Sequence, residues 1–235
     1  MWGGKGWRIN KFIKAGLGMA GYGTAGPGPA MQGMDLLILT KRMNKMEQLT
    51  VMLKSNGPML MHSDKLSNPL DPATKKHKTL TSKRKKTDED YEAIAKSEWL
   101  NSLYYSDDIG VYVPIQNIRK SLIEGARFNK LGKHVERGVV FMDTRAKLKY
   151  SGPKEPEKLW DNGKFTDARS VRVSQARLVR FRPIFTDWEI EAVELLYNPS
   201  IIDGSDILAA WDNAGNMVGM GDFRPLFGKY KVEEV

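Results

Sequence analysis

The clearest pattern of apolar and polar positions lies between residues 111 and 127. Apolar residues at 111–113 indicate a short strand, which Pro114 ends because proline donates no hydrogen bond to a β-ladder. Helical spacing follows at once, with Gln116 or Asn117 near the first turn and a buried stripe of Ile115, Ile118, Leu122 and Ala126. The cations outside this stripe, which are expected in solvent, are Arg119, Lys120 and Arg127.

Two other stretches have helical spacing. Thr87 can cap a helix whose first turn carries the acids of 88–90, which suit the positive end of the helix dipole. The apolar face of this helix would consist of Tyr91, Ile94, Ala95, Trp99, Leu100 and Leu103. A later helix begins at about Asp203 or Ser205, with inward positions Ile207, Leu208, Trp211, Ala214 and Val218.

Strand-like segments are predicted at 49–54, 139–142, 188–197 and 227–232. In the segment 188–197, apolar positions that include Ile190 and Ala192 alternate with glutamates. Between 171 and 181 the odd positions are mainly apolar, which predicts one strand with a buried face of Val171, Val173, Val179 and Phe181. The other face of this strand would be cationic and carry Arg172, Arg180 and Arg182. Arg177 breaks the alternation and is placed at a β-bulge.

The chain divides into two parts by composition. Residues 1–46 form a Gly-rich basic segment, which is predicted to be a flexible arm. Residues 47–235 are predicted to form one folded domain with insertions at about 63–108 and 143–168.

Two segments of this domain are expected to be irregular. Apolar periodicity is lost over 63–86, where seven Lys and Arg residues fall among 75–86 and end in Lys83-Arg84-Lys85-Lys86. Such a run is typical of a mobile solvated loop, and it is equally compatible with contact to a polyanion. Prolines and glycines at 151–164 predict a protruding loop or a hairpin tip.

The overall charge raises the expectation of an anionic partner. Among 235 residues, 37 Lys and Arg stand against 28 Asp and Glu, a net charge of +9, which favours nucleic acid with anionic membrane surfaces as the competitor. The absence of cysteine, with only three histidines at no ligand-like spacing, argues against zinc, any other cofactor and nucleophilic catalysis by Cys or His. No apolar run is long enough to span a bilayer and no secretion signal is convincing, so a cytoplasmic location is expected.

Arginine is concentrated in the segment 169–182, which holds five arginines and no lysine, and arginine suits bidentate contact with phosphate. Candidate residues that stack on bases are Tyr104, Tyr105, Phe128 and Phe223. The full set of candidate nucleic-acid contacts is Lys83, Arg84, Lys85, Lys86, Arg119, Lys120, Arg127, Arg169, Arg172, Arg177, Arg180, Arg182 and Arg224.

The order of predicted elements is typical of an α+β protein with a ferredoxin-like or RRM-like βαββαβ core and large insertions. Three segments together resemble the RAMP superfamily, in particular the repeating backbone subunits of CRISPR effector complexes and related phage-encoded proteins. Gly57–Asp64 resembles the first strand and the loop after it, and residues 112–127 are similar to the proline-led helix. Gly219–Tyr230 resembles the C-terminal glycine-rich loop and the last strand.

This resemblance implies a non-enzymatic subunit that binds single-stranded RNA or DNA and self-associates head-to-tail along the strand. Some family members cleave RNA with an aspartate after the first strand, and Asp64 holds a comparable position here. Two alternatives remain open: a phage structural or assembly protein with a basic docking face, and a metal-dependent RNase that uses Asp64, Asp107 and Asp108.

Overall fold

A computed structural model describes residues 45–235 of the chain and contains both helices and antiparallel sheets. The α+β class predicted from the sequence is therefore confirmed. The predicted arm over 1–46 lies, apart from its last two residues, outside the described residues. No helix within 45–235 is long and apolar enough to cross a membrane.

The strands, numbered in chain order, are β1 Glu47–Ser55, β2 Met59–Leu60, β3 Tyr105–Ser106, β4 Gly110–Pro114, β5 Val139–Phe141, β6 Arg145–Lys147, β7 Thr166–Val173, β8 Ala176–Phe185, β9 Glu189–Tyr197 and β10 Tyr230–Glu234. The α-helices are α1 Pro72–Thr81, α2 Asp88–Ser102, α3 Ile115–Arg127, α4 Gly132–Gly138, α5 Pro156–Asn162 and α6 Gly204–Asn213. A 3₁₀ turn precedes α1 at Lys65–Ser67, and a π-helical turn continues α6 over Ala214–Val218.

The largest sheet has the strand order β10-β1-β9-β5, and all neighbouring strands in it are antiparallel. Helices α3 and α6 pack against each other so closely that a side-chain carbon on Gly125 would overlap the Ala210 carbonyl oxygen. The predicted stripe of α3 is buried as expected, and it joins Trp99, Trp188 and Trp211 in a single core.

A β-bulge in β9 changes which of its residues reach the core. Val51 and Leu53 of β1 pair with Val193 and Ile190 of β9. The paired positions are therefore two residues apart on β1 but three residues apart on β9, which defines a bulge. Ile190 and Val193 are consequently both buried, whereas Ala192 is exposed. The burial predicted for Ala192 is wrong for that reason, whereas Glu194 is exposed as predicted.

The prediction of a single strand over 171–181 is wrong, because this segment contains parts of both strands of a hairpin. Ser174 has a φ of 56° in the turn that joins β7 to β8. Arg177 lies directly opposite Arg172 in a regular ladder, so there is no bulge at Arg177. Val179 is 54% exposed instead of buried, because no described layer covers the outer half of the hairpin, and inward burial begins only toward Phe185.

Two predicted loops contain helices. Asp71 caps α1 by accepting a hydrogen bond from the Ala73 amide at 2.8 Å, and Pro72 occupies its first turn. Its apolar face was invisible in the sequence because Thr74 is its only buried residue. Between 151 and 164, α5 buries Leu159 completely, so this segment is anchored to the core rather than protruding.

Helix α2 agrees well with its prediction. Thr87 and Asp90 form a reciprocal capping box, and Trp99 is fully buried with its indole nitrogen donating to the Phe165 carbonyl oxygen at 3.0 Å. Tyr91, which the sequence assigned to the apolar face, is instead 59% exposed, because the first turn of the helix extends beyond the layer that covers Trp99.

A buried hydroxyl connects α3 to the C-terminal part of the chain. Ser121 is completely buried and lies 2.8 Å from the Gly219 carbonyl oxygen and 2.9 Å from the Tyr230 hydroxyl. Burial raises the pKa of Tyr230 far above its usual value, so this hydroxyl stays protonated. Gly219 begins the glycine-rich segment and Tyr230 begins β10, so one side chain joins three structural elements.

We expect Ser121→Ala to lower the free energy of unfolding by about 1–3 kcal/mol, because it leaves a buried carbonyl oxygen and a buried hydroxyl without their partner. Chemical denaturation would measure the change. Ser205→Ala, at an exposed position on α6, is the matched control and should change stability by no more than about 0.5 kcal/mol. Equal stabilities of the two variants would show that the Ser121 hydroxyl is not important to the fold.

Candidate functional site

The glycine-rich loop, residues 219–228, packs tightly against β2. The Asp222 amide donates to the Leu60 carbonyl oxygen at 2.9 Å, and the Gly228 amide donates to the Pro58 carbonyl oxygen at 2.8 Å. Gly221 has a φ of +83°, and a side-chain carbon there would overlap the Leu60 carbonyl oxygen. Glycine is therefore required at this point by both backbone conformation and space.

Phe223, at the turn of this loop, contacts two arginines from the hairpin with its ring. Its φ is 53°, an uncommon conformation for a residue with a side chain. The guanidinium carbons of Arg169 and Arg182 lie 5.4 and 5.1 Å from the centre of its ring, within the range of cation–π attraction. Arg169 also lies 4.5 Å from the ring centre of Phe227, so the two aromatic rings position the base of the hairpin.

Each of the arginines at the loop also has a carboxylate partner. Arg182 forms an ion pair with Asp222, and its side chain is only 13% exposed. Arg169 makes two hydrogen bonds to Asp167, at 2.9 and 3.0 Å. Arg224 donates to Glu124 of α3 at 3.1 Å. The paired acids hold the guanidinium groups in place and cancel much of their charge.

Three depressions follow one another across this surface. The first, of about 510 Å³, lies between the end of α3 and the loop and is lined by Glu124, Arg127, Phe128, Met217, Val218, Arg224 and Pro225. The second, of about 480 Å³, lies over the loop and is lined by Arg182 and residues 221–224. Arg224 lines both, so the two depressions lie on either side of, or meet at, this one side chain.

The third depression, of about 630 Å³, adjoins the second at Arg182. The 3₁₀ turn, α1, α2 and the hairpin surround it, and its lining residues are His62, Ser63, Asp64, Leu66, Ser67, His77, Glu98, Ser102, Val171, Arg172, Arg180 and Arg182. We call the three depressions together the groove. It runs from the end of α3, over the glycine-rich loop, to the space between α2 and the hairpin.

The polar groups of the third depression are interconnected. Arg180 donates to the buried carboxylate of Glu98 at 2.8 Å, and the other Glu98 oxygen accepts from the Phe181 amide at 3.4 Å. His77 Nδ1 lies 3.0 Å from the Ser97 hydroxyl oxygen. Partial desolvation lowers the pKa of both His62 and His77, and the positive charge of Arg182 lowers the pKa of His62 further.

The structure brings together part of the predicted set of cations. Five of these cations line the groove, namely Arg127, Arg172, Arg180, Arg182 and Arg224. Arg169 does not line it but contacts the ring of Phe223, which does. Arg177 is exposed at the outer end of the hairpin, opposite Arg172. The positive charge of the predicted cationic face is partly compensated, because acids that are distant in sequence pair with Arg180 and Arg182.

The remaining predicted cations lie elsewhere. Arg119 donates to the Glu136 carbonyl oxygen at 3.2 Å, and Lys120 is exposed on the same helix. The run from Lys83 to Lys86, including Arg84 and Lys85, forms the connection between α1 and α2. Lys83 pairs with Asp90 at 2.5 Å, and the Lys86 ammonium group donates to the Lys83 carbonyl oxygen at 2.8 Å.

Two of the four candidate stacking residues lie in the groove. Phe128 is 60% exposed in the first depression, and Phe223 lies in the second. Tyr104 and Tyr105 instead pack against the core, and the Tyr104 hydroxyl donates to the His62 carbonyl oxygen at 3.0 Å. The sequence reasoning missed both histidines of the groove, because their 15-residue separation gives no local signal.

The three aspartates of the nuclease hypothesis have different surroundings. Asp64 lines the third depression, Asp107 lines a separate cavity beside β4, and Asp108 pairs with Arg145 at 2.8 Å. Within residues 45–235, no group of three or more His, Cys, Asp or Glu side chains is arranged to hold a metal ion.

No family model matches the chain, and no curated protein matches it.

The arginine pairing implies that substitutions at two arginines of the hairpin differ in their effect on stability. We expect Arg182→Ser to lower the free energy of unfolding by about 1–3 kcal/mol, since it leaves the Asp222 carboxylate partly buried without its partner. Arg172→Ser, at an exposed position, should stay within about 0.5 kcal/mol of the wild type. Thermal or chemical denaturation of both variants measures this, and a destabilised Arg172 variant beside an unaffected Arg182 variant would contradict the pairing.

Proposed function

We propose that the chain is a non-enzymatic subunit that binds single-stranded nucleic acid along the groove. The observation that carries this proposal is the succession of the three depressions, in which each shares a lining arginine, Arg224 or Arg182, with the next. Proteins that bind single strands combine a groove lined with cations and aromatic surfaces that accept any base. Here Phe128 and Phe223 supply the rings, and five arginines line the same three depressions.

The topology supports a relationship to the RAMP superfamily, which forms part of this proposal. Taking β1, α3, β5, β9, α6 and β10 in chain order gives the βαββαβ sequence of a ferredoxin-like core. The four strands lie in the order fourth-first-third-second with antiparallel neighbours, as that plan requires. The glycine-rich loop follows α6 and its π-helical turn and leads to β10. A glycine-rich loop before the last strand is also what the sequence resemblance implies.

The charge balance determines how such a groove would bind. Arg180, Arg182 and Arg224 are compensated by carboxylates, so they offer directed hydrogen bonds more than net charge. Net attraction for phosphates would come from the more exposed Arg127, Arg172 and Arg177. Arg127 forms a long ion pair of 3.6 Å with Glu136 in which both side chains are exposed, so its charge is only weakly compensated. Leu178 and Val179 are exposed beside these hairpin arginines, and this mixed surface supports self-association of subunits bound to the same strand.

We expect binding of a single-stranded oligonucleotide to weaken steeply with salt. Each neutralised phosphate contributes a slope of about −0.7 in a plot of log affinity against log salt concentration. Arg127→Ser with Arg172→Ser removes one exposed cation at each end of the groove. This double variant should keep the wild-type stability and reduce the slope by about 1.4, as measured by fluorescence anisotropy at several salt concentrations.

Lys147→Ser with Lys231→Ser is the matched control, since both lysines are exposed and line none of the three depressions. Its salt slope should equal that of the wild type. Equal losses in the two double variants would mean that binding follows net charge alone and not the groove. Absence of binding by the wild type at low salt would favour the docking protein, and cleavage of labelled RNA that requires Mg²⁺ would favour the nuclease.

A further inference from the structure

The third depression has properties that strand binding alone does not explain. Two of the three histidines in the chain, His62 and His77, line this one cavity, although they come from different elements. Three arginines and three carboxylates surround them, namely Arg172, Arg180 and Arg182 with Asp64, Glu98 and Asp222. While both imidazoles are neutral, the formal charges of these six groups sum to zero.

Protonation of the histidines changes this balance. Two imidazolium groups would bring the formal charge of the groups around the cavity from zero to +2. The cations already present, Arg172, Arg180 and Arg182, line the same cavity, so a ligand there would meet guanidinium and imidazolium groups together. Such charged donors form the strongest hydrogen bonds with oxyanions.

We propose that this cavity binds an oxyanion, and that it binds most tightly when His62 and His77 are protonated. The anion would accept hydrogen bonds from Arg182 and from the two imidazolium groups, beside the hydroxyls of Ser63, Ser67 and Ser102. Its assignment as a backbone phosphodiester of the bound strand rests on the function proposed above. The cavity therefore makes strand affinity depend on pH.

The direction of this dependence follows from the surroundings of the two imidazoles. Partial desolvation and the field of the arginines lower the pKa of His62 and His77, so both are mainly neutral at pH 7 in the free protein. A bound anion opposes these effects and raises the pKa of both groups. By linkage, affinity rises as the pH falls through the pKa values of the free protein.

An oligothymidylate of about 15 nucleotides is a suitable probe, because neither its bases nor its phosphodiesters change charge between about pH 5 and 8. We expect its affinity for the wild type to rise about tenfold for each histidine that gains a charge-assisted hydrogen bond, as the pH is lowered across this range. His62→Gln with His77→Gln should abolish the rise. His134→Gln, which changes the third histidine at an exposed position of α4, is the matched control and should retain the rise.

A second probe separates this inference from the proposed function. Sulfate keeps its charge over the same pH range, and NMR titration of the imidazole signals in the full chain with and without sulfate reports on the cavity directly. Sulfate should shift the titration of His62 and His77 to higher pH, with the His134 signal as internal reference. If sulfate does this while no strand binds, the oxyanion site stands and the proposed function is wrong.

Two results would overturn the oxyanion site. One is a rise in strand affinity at low pH that the His62→Gln, His77→Gln variant retains in full. The other is strand binding with no pH dependence together with no effect of sulfate on either histidine, in which case the groove binds strands without this cavity.

Discussion

The position of the groove depends on the close approach of the glycine-rich loop to β2. At Gly221 and Gly228 the backbone adopts positive φ values, and a side-chain carbon at either residue would overlap a carbonyl oxygen. Amide hydrogen bonds from the loop to Pro58 and Leu60 hold this approach, and the buried Ser121 hydroxyl ties the beginning of the loop to α3. Phe223, Asp222 and Arg224 occupy their places only because the loop is held in this way.

Much of the positive charge of the arginines in the groove is compensated by nearby acids, so the groove is not simply basic. The net charge of +9 belongs to the chain as a whole, whereas each arginine at the loop is matched by a nearby acid. Pairing reduces long-range attraction, but it fixes guanidinium groups in defined orientations at low cost in side-chain entropy when a ligand binds. Such a surface favours defined contacts with phosphates over indiscriminate attraction to any polyanion.

Local patterns in the sequence were sufficient to predict the elements whose apolar residues recur with strong periodicity. The stripe of α3 and the capping box of α2 were predicted because their signals lie within a few residues. The hairpin was mistaken for a single strand because apolar alternation continues across Ser174, and a two-residue turn leaves little trace in such a pattern. Helix α1 was missed because it buries almost nothing.

The candidate site was less predictable than the fold, because its pairs join distant parts of the chain. Arg180 and Glu98 are separated by 82 residues, and Arg224 and Glu124 by 100. No local spacing indicates such partners, so the arginines looked free and the histidines looked isolated. The glycine-rich loop and Phe223 were identifiable in advance, since glycines and an aromatic residue stand together in one short segment.

Photo-crosslinking tests most directly whether the groove is the path of a single strand. An oligonucleotide with photoreactive thymidine analogues at every position would be bound to the full chain, irradiated, and the attached peptides identified by mass spectrometry. We expect attachment at the glycine-rich loop around Phe223 and at the end of α3 around Phe128. Attachment confined to the Lys83–Lys86 connection, or to the edge strand β10, would contradict the account.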